Sequence, residues 1–307
     1  TIELFVYTQT LSYLIATGIT LAIVIRKAHF KRLKWNYPFF LLILKKSFPY
    51  AILVLLMTFY NRIDAVMLER MLPDGKLESG LYAAAYRVLD SANMFSFLFA
   101  GLLLPMFSRM LRFKEPVEHL VKLAFTILIT PAVIAVCAAL FFSQEIMGLL
   151  YNAHVDESAV VFRIIMGCFI ASSLTYIFGT LLTANGNLRQ LNVLAASGMA
   201  INLLLNLILI PRFHATGAAF SSLITQSTSA ILQMLLAQKL FGFRINKRLI
   251  AQVTVFIPAC LLIAWLCSNL FDNWVSGFFL LVFLGTGLAF SIGLLHIKSI
   301  YRILKYG

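Results

Sequence analysis

The chain has 307 residues, 61% of them hydrophobic and 12% charged, with a mean hydropathy of +0.91. That composition excludes a soluble domain; its uninterrupted apolar runs of about 20 residues each suffice to cross a bilayer as a helix and exclude a transmembrane barrel, whose strands alternate apolar and polar. The net charge of +13 collects in loops on one side of these runs, which makes it an orientation signal and argues against nucleic acid as a partner.

The sequence predicts an all-α polytopic membrane protein of about nine transmembrane helices, at about 3–25, 47–69, 79–106, 120–142, 158–184, 189–210, 216–238, 249–269 and 276–297. The chain opens on Thr1 and enters a span at once, so it reads as the carboxy-terminal part of a longer protein. Arg26–Lys46 follows, a basic and aromatic seam suited either to an amphipathic segment at the headgroups or to a plain topogenic linker. Ser108–Lys122 is a second basic stretch, and Lys239–Arg248 sets the last two spans apart. The loops 26–46, 108–122, 185–188, 239–248 and the tail from Lys298 fall on one side and together collect nearly all the loop Lys and Arg, which places these segments and the C-terminus in the cytoplasm. Pro105, Pro131 and Pro258 fall inside or at the ends of spans. Neighbouring helices in a membrane can satisfy the groups a proline frees. The four cysteines lie in apolar spans without metal-ligand spacing and read as small buried hydrophobes.

Five ionisable residues stand inside spans: Arg62, Asp64, Arg87, Asp90 and Arg163. A charge at mid-bilayer costs about 3 kcal/mol or more, so such residues tend to face a bundle interior or a wet cavity. Arg62 and Asp64 on the second span and Arg87 and Asp90 on the third lie at similar height across a short loop. Tyr82, Tyr86, Asp90, Asn93 and Phe97 share one face of the third span. Asn202 and Asn206 are spaced i, i+4, and Ser222, Thr225 or Gln226, Ser229 and Gln233 follow one face of the seventh span. Two readings stay open: structural pairs such as Arg62 with Asp90 and Asp64 with Arg87, or a cavity wall for a charged, hydroxyl-rich cargo. Arginine's planar fork of donors suits phosphate. Arg163, near a span end, can snorkel to the interface.

No P-loop, HExxH, nucleophile elbow or paired metal ligands are found, so the sequence reads as a transporter and not an enzyme, with no cofactor. Na⁺ or H⁺ coupling through Asp64 or Asp90 is compatible with it.

The runs LKKSFPYAILVLLMTFYNRIDAVMLERM, GLYAAAYRVLDSANMFSFLFAGLLLPMFSRM and INLLLNLILIPRFHATGAAFSSLITQ resemble the carboxy-terminal half of bacterial polysaccharide-repeat-unit flippases. These are the O-antigen and exopolysaccharide exporters of the multidrug/oligosaccharidyl-lipid/polysaccharide superfamily. His214 stands where the family commonly has Gly. The resemblance implies one lobe of a two-lobed exporter fold plus extra helices, working by alternating access. In it, 1–25 is the last helix of an amino-terminal lobe and 26–46 the cytoplasmic linker. Residues 47–240 form the six-helix carboxy-terminal lobe, and 241–307 the two additional helices and tail. The implied activity is to move undecaprenyl-pyrophosphate-linked oligosaccharide across the bacterial cytoplasmic membrane, among membrane lipids and alongside other polysaccharide assembly proteins. Arg62, Arg87, Asp64, Asp90, Tyr86, Asn93, Asn202 and Asn206 are the expected substrate-binding residues, chosen by charge and depth. A cation-coupled multidrug extruder would favour acidic residues in its cavity. A glycan polymerase or ligase would need a larger catalytic loop, and an inactive scaffold would need no cavity charge.

Overall fold

The computed structural model describes residues 2–28, 36–243, 246–271 and 273–295. Ten helices make up its order: α1 (Ile2–Ala28), α2 (Tyr37–Met71), α3 (Gly75–Arg112), α4 (Glu118–Phe141), α5 (Ser143–Leu150), α6 (Val155–Ile165), α7 (Cys168–Ala184), α8 (Leu188–Phe241), α9 (Lys247–Leu270) and α10 (Trp274–Ser291). No strand occurs among the described residues. Among the described residues eight helical stretches are long and apolar enough to cross a membrane, in accord with the polytopic all-α reading.

The chain divides into two compact units, 1–48 and 49–307. The first holds α1 and the start of α2, whose apolar side chains, Leu11, Ile19 and Phe39 among them, are exposed. Asn36 caps α2, its Oδ1 accepting from the Phe39 amide at 3.2 Å. The helix thus begins ten residues earlier than the expected span. Residues 29–35, the centre of the expected linker, and the tail from Lys298 lie outside the described residues.

In the second unit α3 is the central strut. Its buried positions Leu81, Tyr82, Ala85, Tyr86 and Leu89 recur at helical spacing, so one stripe faces inward. It packs on α6, α7 and α8, while α4 joins α7 to the α9–α10 pair. Three apolar clusters follow from this arrangement. One lies at the α2–α3 turn around Met147, Phe162 and Ile165, one at the opposite end around Phe107 and Leu181, and one where α4 meets α9 and α10. The expected single span 158–184 is two helices, α6 and α7, parted at Met166–Gly167. The segment from Ser143, expected as a loop, begins with the short helix α5, pinned by buried Met147.

α8 cannot be one rod. Asn206 and Ser222 would stand about 24 Å apart along a straight helix, yet both bond the carboxylate of Asp64. The chain folds back at His214, whose backbone (φ 54, ψ −134) is not helical. Two antiparallel arms result, matching the expected spans 189–210 and 216–238. A Cβ on Gly217 would fall against the Leu209 carbonyl, and one on Gly198 against Ser229 Oγ at 2.9 Å. Small residues are what let two membrane helices approach so closely.

Candidate functional site

α2, α3, α7 and both arms of α8 surround a cleft of about 820 Å3. Its charged end holds Arg62 and Asp90, joined by a 2.8 Å ion pair with side chains 62% and 41% exposed. The Arg62 guanidinium also lies over the Tyr86 ring, 5.1 Å from its centroid, a favourable placement for a cation. Asn93, one turn further along α3, accepts from Ser172 Oγ of α7. Further along, the wall becomes polar but uncharged: Thr175, Tyr176 and Thr183 on α7 and Gln226, Ser229 and Gln233 on α8. Gln233 Oε1 has no hydrogen-bond partner among the described residues. Met57, Met94, Phe97 and Leu104 supply the apolar remainder. The cleft therefore joins a zwitterionic end to hydroxyl, amide and aromatic walls, a surface fitted to an amphiphile with a polar head.

Two residues beyond Arg62, about 200° round the helix, Asp64 points away from this cleft into the protein. It is fully enclosed. Tyr82 Oη donates to its Oδ2 at 2.6 Å, and Ser222 Oγ donates to the same oxygen. Asn202 Nδ2 at 3.0 Å and Asn206 Nδ2 at 2.5 Å donate to Oδ1. Asn206 also donates to Asn202 Oδ1 at 3.1 Å. A buried carboxylate is tolerable only when its lone pairs are satisfied, and here four side chains do that. This knot ties α2 to α3 and to both arms of α8.

The eight expected residues are thus distributed over three places. Arg62, Tyr86, Asp90 and Asn93 line the cleft; Asp64, Asn202 and Asn206 form the buried knot; Arg87 lines a separate groove with Lys76 and His154. Of the two ion pairs considered from sequence, Arg62–Asp90 is present, whereas Asp64 is held by neutral donors rather than by Arg87. Arg163 donates from Nε to Ser143 Oγ. The sequence reading did not single out the α7 wall, although Ser172, Thr175, Tyr176, Gly179 and Thr183 fall at spacings that share a face. Among the described residues no group of three or more His, Cys, Asp or Glu is placed to hold a metal ion.

With this geometry in place, the model of a family described as "Polysaccharide biosynthesis protein" matches residues 2–111, from α1 to the end of α3. A protein of Haloferax volcanii, described as "Probable low-salt glycan biosynthesis flippase Agl15", is 28% identical over 181 residues. The resemblance to polysaccharide flippases is borne out. The alignment takes in 57% of this chain and 37% of that relative, so the chain spans well under half of the flippase it matches. Among solved structures, one titled "Outward-facing conformation of a multidrug resistance MATE family transporter of the MOP superfamily" is similar at 17% identity with a TM-score of 0.47, covering 85% of this chain and 66% of that one.

Proposed function

We propose that the chain is part of a glycan flippase and that its cleft receives the head of an undecaprenyl-pyrophosphate-linked oligosaccharide. The observation that carries the reading is the exposed Arg62–Asp90 pair at one end of a cleft otherwise lined by hydroxyls, amides and aromatic rings. A pyrophosphate can take over the Arg62 donors from Asp90, because an exposed ion pair is worth only about 0–1 kcal/mol while arginine binds phosphate oxygens through its fork. The amides of Gln226 and Gln233 and the hydroxyls of Thr175 and Ser229 then face the sugars. In this reading 47–240 acts as one lobe, 26–46 as the cytoplasmic linker and 241–307 as the added helices and tail. The membrane is the bacterial cytoplasmic membrane, and the basic loops face the cytoplasm.

Native mass spectrometry in detergent tests this. Arg62→Ala is expected to weaken binding of undecaprenyl-pyrophosphate oligosaccharide by about 1.5–3 kcal/mol, the range for a hydrogen bond to a charged group. Unchanged binding in the folded variant removes Arg62 from the site. Binding of organic cations by a wild type that ignores the lipid-linked glycan would favour a multidrug extruder.

A further inference from the structure

Arg87 belongs neither to the cleft nor to the Asp64 knot. It is exposed, three turns inside a membrane-length helix, and among the described residues no carboxylate lies within 4.0 Å of it. A cation in that setting must reach the polar boundary or meet an anion. Arg87 lines a groove of about 370 Å3 with Lys76, Tyr151, His154 and Ser158. Lys76 and Arg87 are three turns apart and share one face of α3, with Cα atoms about 16 Å apart. Helical side chains tilt toward the N-terminus, so the Arg87 guanidinium leans toward Lys76. Gly80, Ala83 and Ala84 make a floor of small residues between them. The facing wall is the α5–α6 turn, where Tyr151 Oη donates to the Ala84 carbonyl at 3.5 Å. His154 lies 3.5 Å from the Glu157 carboxylate, so any charge it carries is already matched. Among the described residues Lys76 and Arg87 have no such counter-ion.

We propose that this groove binds the phosphate of an anionic phospholipid in the leaflet at the α2–α3 end of the bundle. Arginine's fork meets the phosphate oxygens, and Lys76 adds a second charge toward the helix end. The small-residue floor leaves room for the glycerol and the start of the acyl chains along α3. Among the described residues none lines both the groove and the cleft, so the lipid site is separate from the proposed cargo site.

The test is native mass spectrometry of the protein in detergent with phosphatidylglycerol, and phosphatidylcholine as the zwitterionic comparison. Arg87→Gln combined with Lys76→Gln is expected to lower phosphatidylglycerol adducts about tenfold, the low end for losing a hydrogen bond to a charged group, with phosphatidylcholine adducts unchanged. Lys76→Gln alone, in the exposed first turn of α3, is expected to give a partial loss and keeps the test decisive should the double variant not fold. Unchanged phosphatidylglycerol adducts in folded variants overturn the proposal. A loss confined to undecaprenyl pyrophosphate, with phosphatidylglycerol unaffected, also overturns it and assigns the groove to the cargo's anchor.

Discussion

Arg62 and Asp64 are two residues apart and do opposite things, because two steps along a helix turn a side chain to the far face. Arg62 is left in an open cleft beside Asp90, while Asp64 is enclosed by Tyr82, Asn202, Asn206 and Ser222. Between membrane helices an average interhelical hydrogen bond contributes only about 0.6 kcal/mol, so no single donor holds the knot. The carboxylate differs, since all four donors converge on it. Asp64→Ala strands them together and is expected to cost about 1–3 kcal/mol, the penalty for buried polar groups left unsatisfied. Tyr82→Phe is expected to cost about 0.6 kcal/mol. Reversible unfolding in mixed detergent micelles measures both. Equal losses in the two variants would show that the carboxylate is not the centre of the knot.

Helices show what apolar periodicity reveals and where it stops. The two arms of α8 were readable as separate spans, because Pro211-Arg212-Phe213-His214 interrupts two apolar runs. The start of α2 was not, because Lys45 and Lys46 read as a loop although an exposed helix face accommodates them. α5 has eight residues, too few for a periodicity to emerge, and its helical state rests on the packing of Met147. The turn of α8 carries the clearest local conflict. His214 adopts φ 54 and ψ −134, a region in which a side chain costs about 1–3 kcal/mol. Glu78 at the start of α3 steadies the turn, its Oε2 accepting from the Ala215 amide at 2.9 Å and its Oε1 lying 3.2 Å from His214 Nδ1. His214→Gly removes the strain and keeps the amide contact while losing the imidazole–Glu78 contact, so it is expected to stabilise the protein by at most about 1 kcal/mol after glycine's entropy cost. His214→Ala keeps the strain, loses the Glu78 contact and is expected to lower the melting temperature in detergent. A Gly variant no more stable than wild type would mean that the imidazole offsets the backbone strain.

At the scale of the molecule, the residue types of the cleft were present in the sequence as stripes on single helices, but their division was not. Tyr82 shares its stripe with Tyr86 and Asp90, yet bonds Asp64 while the other two line the cleft. Ser222 stands in the same relation to Gln226 and Gln233. Such partition depends on which helices meet at each level, and a one-dimensional period holds no information on that. On the proposed flippase reading the cleft is a passage and not merely a gap. Gly101 allows a direct test: it lines the cleft, and a Cβ there would meet nothing within 4 Å. Gly101→Trp therefore starts from an unobstructed Cβ and places an indole in the opening, with stability expected to stay within about 0.5 kcal/mol as for other substitutions at exposed positions. Leu102, its neighbour in sequence, is 59% exposed and does not line the cleft. Leu102→Trp thus adds comparable bulk outside the passage. In proteoliposomes that report translocation of lipid-linked glycan, Gly101→Trp is expected to lose most of its activity and Leu102→Trp to keep it. Wild-type transport by Gly101→Trp would remove the cleft from the path. Equal loss in both variants would trace the defect to added bulk on α3 and not to occlusion.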